Sequence, residues 1–378
     1  MRAIEPTHQV QVARNGRVIW GIVAVMMVAV VLGNELAGLS IDISIIAKIA
    51  GLILMLIAIA YFYRRWRVDP WISFGAESCA QIVAILALGA FLMYPLATIG
   101  LPYRDAELHA IDLWMRLDWE AYLRFVNAHP LLCFVSKLAY SSMAVQYAFT
   151  IFVLVASSRF LRIQQYVVAV AVALAITLAV FTFTPSIGTY AFLKIQPESY
   201  ARLDPVLTFN QMYHLDAMRT HSWSIIHELE GLISFPSFHT VSAVLFTWAL
   251  YPIRKLRLWV AVLNVALVIS APLQGAHYFV DILGGIATAT LALCIVSSRA
   301  FGYSSLQRTE PSKEEDISLD GSPNQKATDN LAQGFGEQRG DHANQPGGAF
   351  DRGMRHGGHI HLDRISCGST RRTLRHRP

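Results

Sequence analysis

About eight apolar stretches, each long enough to cross a hydrocarbon core of roughly 30 Å, constrain this chain more than anything else in it. Their approximate limits are 18–37, 43–63, 80–99, 131–156, 166–183, 235–251, 258–273 and 278–296. Inside lipid, a backbone can satisfy its own N–H and C=O groups only as a helix or a closed barrel. Continuous apolar runs of this length, without strand-like alternation, read as helices. The expected fold class is all-α, a polytopic membrane helical bundle. The seventh stretch is short, and a histidine motif interrupts the sixth near its start. Only 15% of the 378 residues are charged, against roughly 25% in soluble domains.

Loop charge predicts the orientation. Arg2, Arg14 and Arg17 precede the first stretch, and Arg64, Arg65 and Arg67 follow the second. Arg159 and Arg162 follow the fourth, and Arg254, Lys255 and Arg257 follow the sixth. The loops between these carry acid instead: Glu35 and Asp42; then Asp105, Glu107, Asp112, Asp118 and Glu120; then Glu198, Asp204, Asp216, Glu228 and Glu230. Basic loops stay cytoplasmic, so both termini are expected there and the acidic loops on the far face. A bacterial inner membrane is the expected setting. The net charge of +5 resides in short loops and the tail, which makes a nucleic-acid partner unexpected. Cys79, Cys133, Cys294 and Cys367 show neither metal-ligand nor disulfide spacing. The first stretch follows a polar, basic segment without a small-residue cleavage pattern, so it reads as a retained anchor.

Two acidic loops are long. Residues 102–130 place apolar, acidic and aromatic positions at helical spacing, which predicts an amphipathic helix in the interface. Asp112 and Asp118 are expected to cap or solvate that helix. Residues 184–234 hold Pro185, Gly188, Tyr190, Lys194, Arg202, His214, Arg219, His221 and His227, and a loop of that length is usually functional. Lys48 and Lys137, within or beside apolar stretches, are expected to snorkel or to pair inside the bundle. From about 304 onward, Gly, Gln, Asp, Arg and His replace the aliphatics, so a disordered tail is expected; His356, His359 and His361 read as incidental polar residues there. Three regions follow: 1–79 with two spans, 80–300 with six, and 301–378 as tail.

Two motifs stand where apolar stretches meet water: Phe235-Pro236-Ser237-Phe238-His239-Thr240 and His277-Tyr278-Phe279-Val280-Asp281. Titratable groups are costly to hold at a bilayer, so they mark a functional site. Pro236 is expected in the first turn of a helix, with Ser237 and free backbone N–H groups facing a phosphate oxygen. His239 falls in the same turn. His277 and Asp281 are four residues apart, one face of a helix. A carboxylate on one imidazole nitrogen sets the tautomer and strengthens the other as a nucleophile. Gly284 and Gly285 leave room for close helix packing.

Pro-Ser-x-His followed some 40 residues later by His-x-x-x-Asp resembles the type-2 phosphatidic acid phosphatase superfamily, and within it the branch of inositol phosphorylceramide synthases and related inositolphosphotransferases. The resemblance covers about residues 80–300. It implies a six-span phosphatase/haloperoxidase-like core after two N-terminal spans. It further implies that His277 attacks phosphorus, Asp281 orients it, His239 protonates the leaving oxygen, and Ser237 helps hold phosphate oxygens. It implies a membrane lipid substrate, an alcohol acceptor such as inositol or water, and no metal or cofactor. Two features depart from the phosphatase branch. Its Arg six residues before the second histidine is Ala271 here, and its upstream Lys-x6-Arg-Pro has no match, Lys194 and Arg202 having the wrong spacing. Losing those cations weakens a doubly charged monoester most, which favours a singly charged diester; Lys194, Arg202 or Arg219 are the candidates to supply charge. Thr182–Tyr190 is the candidate remnant of the upstream element. Two readings compete with an enzyme: a lipid transporter, against which no inverted hydropathy repeat is evident, and an inactive scaffold, against which stands the intact His-His-Asp set.

Overall fold

The computed structural model describes residues 6–206, 210–220, 222, 225, 226, 229 and 231–297. In chain order its helices are α1 (Pro6–Ala37), α2 (Ile43–Arg65), α3 (Pro70–Ala97), α4 (Asp105–Trp114), α5 (Trp119–Ala128), α6 (Pro130–Ala156), α7 (Phe160–Phe183), α8 (Thr189–Phe192), α9 (Asn210–Arg219), α10 (Phe238–Leu250), α11 (Arg254–Gln274) and α12 (Phe279–Ser297). Seven of them, α1, α2, α3, α6, α7, α11 and α12, are long and apolar enough to cross a membrane. The protein is an all-α polytopic membrane bundle.

Burial sorts the helices. α7 packs against α1, α3, α6, α10 and α12, and the successive residues Val167, Val168, Ala169, Val170 and Ala171 are all buried, so its whole circumference is covered there. A helix apolar on all sides belongs at the centre of such a bundle. α2 is equally apolar but buries only Ala60, and it packs along α3; its remaining apolar surface suits lipid. Starts and stops follow local chemistry. Asp69 accepts from the N–H groups of Trp71 and Ile72, with Pro70 in the first turn of α3, a capped start. Pro130 likewise opens α6.

The two ends of the bundle differ. One carries the short basic turns between α2 and α3, α6 and α7, and α10 and α11; there Arg162 donates to the Trp248 carbonyl at 2.6 Å and lies over its indole. The other carries every long connection. Ser40–Ile41 pairs in parallel with Ile225–Ile226, tying the α1–α2 turn to the long segment before α10. Both histidine motifs lie at this end.

Several expectations change. The stretch 235–251 forms a helix of only 13 residues, about 20 Å at 1.5 Å per residue, because Ser237 caps its start and Pro252 follows its end. The Phe235–Pro236 peptide is cis, and Pro236 precedes the cap instead of occupying the first turn. α3 begins ten residues before its expected limit. The single interfacial helix of 102–130 is two helices, and α4 turns only one of its acids, Glu107, to water: Asp105 and Asp112 are buried. Asp118 does cap α5, accepting from the Ala121 N–H at 2.9 Å. Lys137 pairs with Asp204. The side chain of His214, and His221, His227, Glu228, Glu230, Cys367 and the tail histidines, lie outside the described residues.

Candidate active site

The start of α10 and the junction before α12 meet at the loop-rich end. Ser237 is fully buried. Its Oγ accepts from the Thr240 N–H at 3.4 Å and lies 3.3 Å from Thr240 Oγ1. The Ser237 N–H donates to the Asp281 carbonyl at 3.0 Å, so the first turn of α10 is hydrogen-bonded directly to the first turn of α12. Gly285 permits this approach: a Cβ there would stand 2.6 Å from the Ser237 carbonyl oxygen and 2.8 Å from Thr240 Cβ. At Gly284 it would meet the Phe235 ring at 2.7 Å. The two glycines read from sequence as packing positions serve that purpose.

His277 is buried. Its Nδ1 is 2.8 Å from the Ser234 carbonyl oxygen and 3.3 Å from Asp281 Oδ2. A carbonyl can only accept, so Nδ1 carries the proton and Nε2 keeps its lone pair free. Asp281 Oδ2 also accepts from Ser234 Oγ at 2.7 Å and from the Tyr278 N–H at 2.9 Å. The expected carboxylate–imidazole pair is present, but the shorter bond to Nδ1 comes from the Ser234 backbone. Sequence reasoning missed Ser234, since a carbonyl acceptor leaves no trace in side-chain identity. The imidazoles of His239 and His277 have centroids 6.3 Å apart. His239 lies flat against the Tyr140 ring at 3.9 Å and 17°.

A family model of the PAP2 superfamily, the type-2 phosphatidic acid phosphatases, matches residues 106–295. The chain belongs to the PAP2 superfamily. The matched stretch opens inside α4 and closes inside α12, so it contains both motifs and every residue of this cluster. Membership makes the protein a membrane enzyme of the lipid phosphoesterase kind. No curated protein and no solved structure matches the chain.

Two buried carboxylates outside the PAP2 motifs hold the junction in place. Asp112 Oδ2 and Oδ1 accept from the N–H groups of Phe279 and Val280, each at 2.8 Å. It therefore caps α12 from a distant helix rather than its own. Asp105 Oδ1 accepts from Ser186 Oγ at 2.8 Å, from the Gly188 N–H at 3.2 Å and from the Tyr278 hydroxyl at 2.9 Å. The Ile187 N–H also points at this carboxylate, 3.1 Å from Oδ2. The segment 182–190, expected as a remnant of the upstream element, thus spends two of its N–H groups, those of Ile187 and Gly188, on a carboxylate of the same chain. Burial pushes both carboxyls up from the ordinary range, against the pull of those donors, and the nearby Asp281 charge raises Asp112 further. More bonds converge on the same stretch: Trp119 Nε1–H donates to the His277 carbonyl at 3.2 Å, the Thr189 N–H to Ala276 at 3.1 Å, and the Tyr190 hydroxyl to Leu273 at 2.9 Å.

The expected cations stand elsewhere. The Arg219 guanidinium lies 3.8 Å over the Tyr103 ring, whose hydroxyl donates to Asp216 at 2.7 Å. The Arg202 N–H donates to Asn127 Oδ1 at 3.1 Å, beside α5. Lys194 is exposed, with a positive φ of 54°. Among the described contacts, none of the three touches either imidazole. Ala271 is fully buried within α11, so the place of the missing family arginine is packed shut.

Proposed function

We propose that the protein is an integral membrane phosphotransferase or phosphatase that acts on lipid phosphate or head-group esters through a phosphohistidine at His277, as in the inositolphosphotransferase-like branch. The observation that carries this reading is the pair of imidazoles 6.3 Å apart, one of which has Nδ1 tied to the Ser234 carbonyl. Nε2 of His277 attacks phosphorus; the N–P bond forms as the bond to the leaving oxygen breaks. His239 gives that oxygen a proton. Water or an acceptor alcohol such as inositol then attacks phosphorus, His239 takes its proton, and the N–P bond breaks. Asp281 and the Ser234 carbonyl stabilise the imidazole as it becomes positive. The Ser237 hydroxyl and the N–H groups of Phe238 and His239 at the start of α10 hold phosphoryl oxygens.

A singly charged diester suits this site better than a monoester dianion. Asp105, Asp112 and Asp281 are all buried near Tyr278, and Ala271 replaces a cation. Lys194, Arg202 and Arg219 act in this reading as outer charges that draw an anionic head group toward the loops. The basic turns lie at the end of the bundle opposite the histidines. By the positive-inside rule this favours cytoplasmic termini and a site on the outer face of a bacterial inner membrane.

The test uses the purified full-length chain in detergent, with labelled phosphatidylinositol and phosphatidic acid, with and without inositol or diacylglycerol, in EDTA. The expected result is release or transfer that disappears in both His239→Ala and His277→Ala. Undiminished turnover in His277→Ala removes the covalent mechanism, and a wild-type chain silent on every lipid removes the enzymatic reading.

A further inference from the structure

One polar group beside the two histidines has no use in the reactions above. Tyr140, on α6, is 3% exposed, and its hydroxyl is buried without a hydrogen-bond partner among the described residues. Leaving such a group unpaired costs about 1–3 kcal/mol, so its position calls for a function. The ring is held flat on the His239 imidazole. The hydroxyl reaches past it to Gly275: a Cβ on Gly275 would lie 2.6 Å from Tyr140 Oη and 2.8 Å from His277 Cδ2. Both atoms therefore crowd one point in space, which only glycine leaves open. Cδ2 is bonded to Nε2, so the phenol oxygen lies within about 5.4 Å of the carbon next to the ring nitrogen that Ser234 leaves free. A phosphoryl group on Nε2 would bring its oxygens to this hydroxyl.

Resting on the phosphotransfer reading of the site, we propose that Tyr140 is a substrate-contacting residue whose hydroxyl donates to a non-bridging phosphoryl oxygen as phosphorus bonds to His277. The phenol keeps its proton throughout; His239 alone transfers one. This neutral donor does part of what the absent arginine at Ala271 does in the phosphatase branch. An O–H brings no net charge into a site already surrounded by Asp105, Asp112 and Asp281, and it matches an oxygen carrying a shared single charge. It strengthens most when negative charge collects on that oxygen in the transition state.

Tyr140→Phe isolates the hydroxyl, because phenylalanine keeps the ring on His239. Turnover of phosphatidylinositol, the affinity for orthovanadate as a phosphoryl mimic, and thermal stability are measured for wild type and variant. The expected result is kcat about 10- to 100-fold lower, the equivalent of one hydrogen bond to a charged group. KM stays near the wild-type value, vanadate binding weakens, and the melting temperature does not fall. Wild-type kcat and vanadate affinity in Tyr140→Phe overturn the inference while leaving the phosphotransfer reading intact. Loss of activity that tracks a fall in melting temperature, with vanadate affinity unchanged, also overturns it by making the hydroxyl structural. A wild-type chain that neither turns over lipid nor binds vanadate overturns the phosphotransfer reading, and this inference with it.

Discussion

The junction before α12 and the start of α10 each supply one histidine, and they hold it in opposite ways. His277 sits on a connecting segment, yet it and the residues just after it are gripped from four directions: Trp119 on its carbonyl, Ser234 and Asp281 on Nδ1, and Asp112 on the N–H groups of Phe279 and Val280. His239 sits inside a regular helix, and among the described contacts its ring meets only other rings, stacked on Tyr140 and edge-on to His277. In the proposed mechanism the difference matches two kinds of work. A nucleophile gains from one tautomer and one direction of its lone pair. A residue that gives and then takes a proton needs one ring nitrogen within reach of both the leaving and the entering oxygen. Rigidity is therefore concentrated on the loop, and the helix carries the freer side chain.

This contrast can be broken most severely at Asp281. Asp281→Asn keeps the shape but presents an amide to Ser234 Oγ, the Tyr278 N–H and His277 Nδ1. Turnover of phosphatidylinositol is expected to fall by about 10³-fold or more, as when a histidine-orienting carboxylate is neutralised elsewhere. A loss under tenfold would make the Ser234 carbonyl sufficient to set the tautomer. Gly285→Ala attacks the contact that joins the two regions. Its Cβ would meet the Ser237 carbonyl, a backbone atom that cannot swing aside, at 2.6 Å. Destabilisation of about 1–3 kcal/mol is expected from such overpacking, read by thermal denaturation in detergent, with vanadate binding weakened as α10 and α12 separate. The mildest change sharpens the picture of the junction. Ala276 holds a left-handed φ of 55° beside His277, a conformation glycine adopts without the penalty of a Cβ. Ala276→Gly is expected to leave thermal stability equal or raised by up to about 1 kcal/mol, with turnover within twofold. A large drop in turnover would show that the strained residue aims His277 actively.

Much of the bundle was legible because lipid imposes length and composition on a span. Every expected stretch except 235–251 became a helix long enough to cross, and that exception follows from Ser237 and Pro252 at its ends. The motif pair was legible too, since the residue types are rare beside apolar runs and their spacing is unusual. The supports were not. Asp105 reads only as one acid of an acidic loop and Asp112 as a cap or solvated face of an interfacial helix, because nothing local distinguishes an acid facing water from one facing the N–H groups of a helix 167 residues onward. Lys194, Arg202 and Arg219 lie in the loop where charge is expected, but sequence does not show their partners, and Arg219 stacks on Tyr103. Nothing local sets Tyr140 apart from the other aromatics of α6.

By itself, the chain's order of residues determined that helices would cross a bilayer, which loops would be basic, and which two imidazoles and which carboxylate stand in the two motifs at the ends of apolar stretches, because burial and charge act on each segment separately. Only the tertiary structure decided what surrounds those groups: the Ser234 carbonyl on Nδ1, the capping of α12 by Asp112, the buried Ala271, and the Tyr140 hydroxyl beside His277. Hydrogen bonds are made between atoms a few ångströms apart, and segments more than 100 residues apart in sequence come that close only after the bundle has packed.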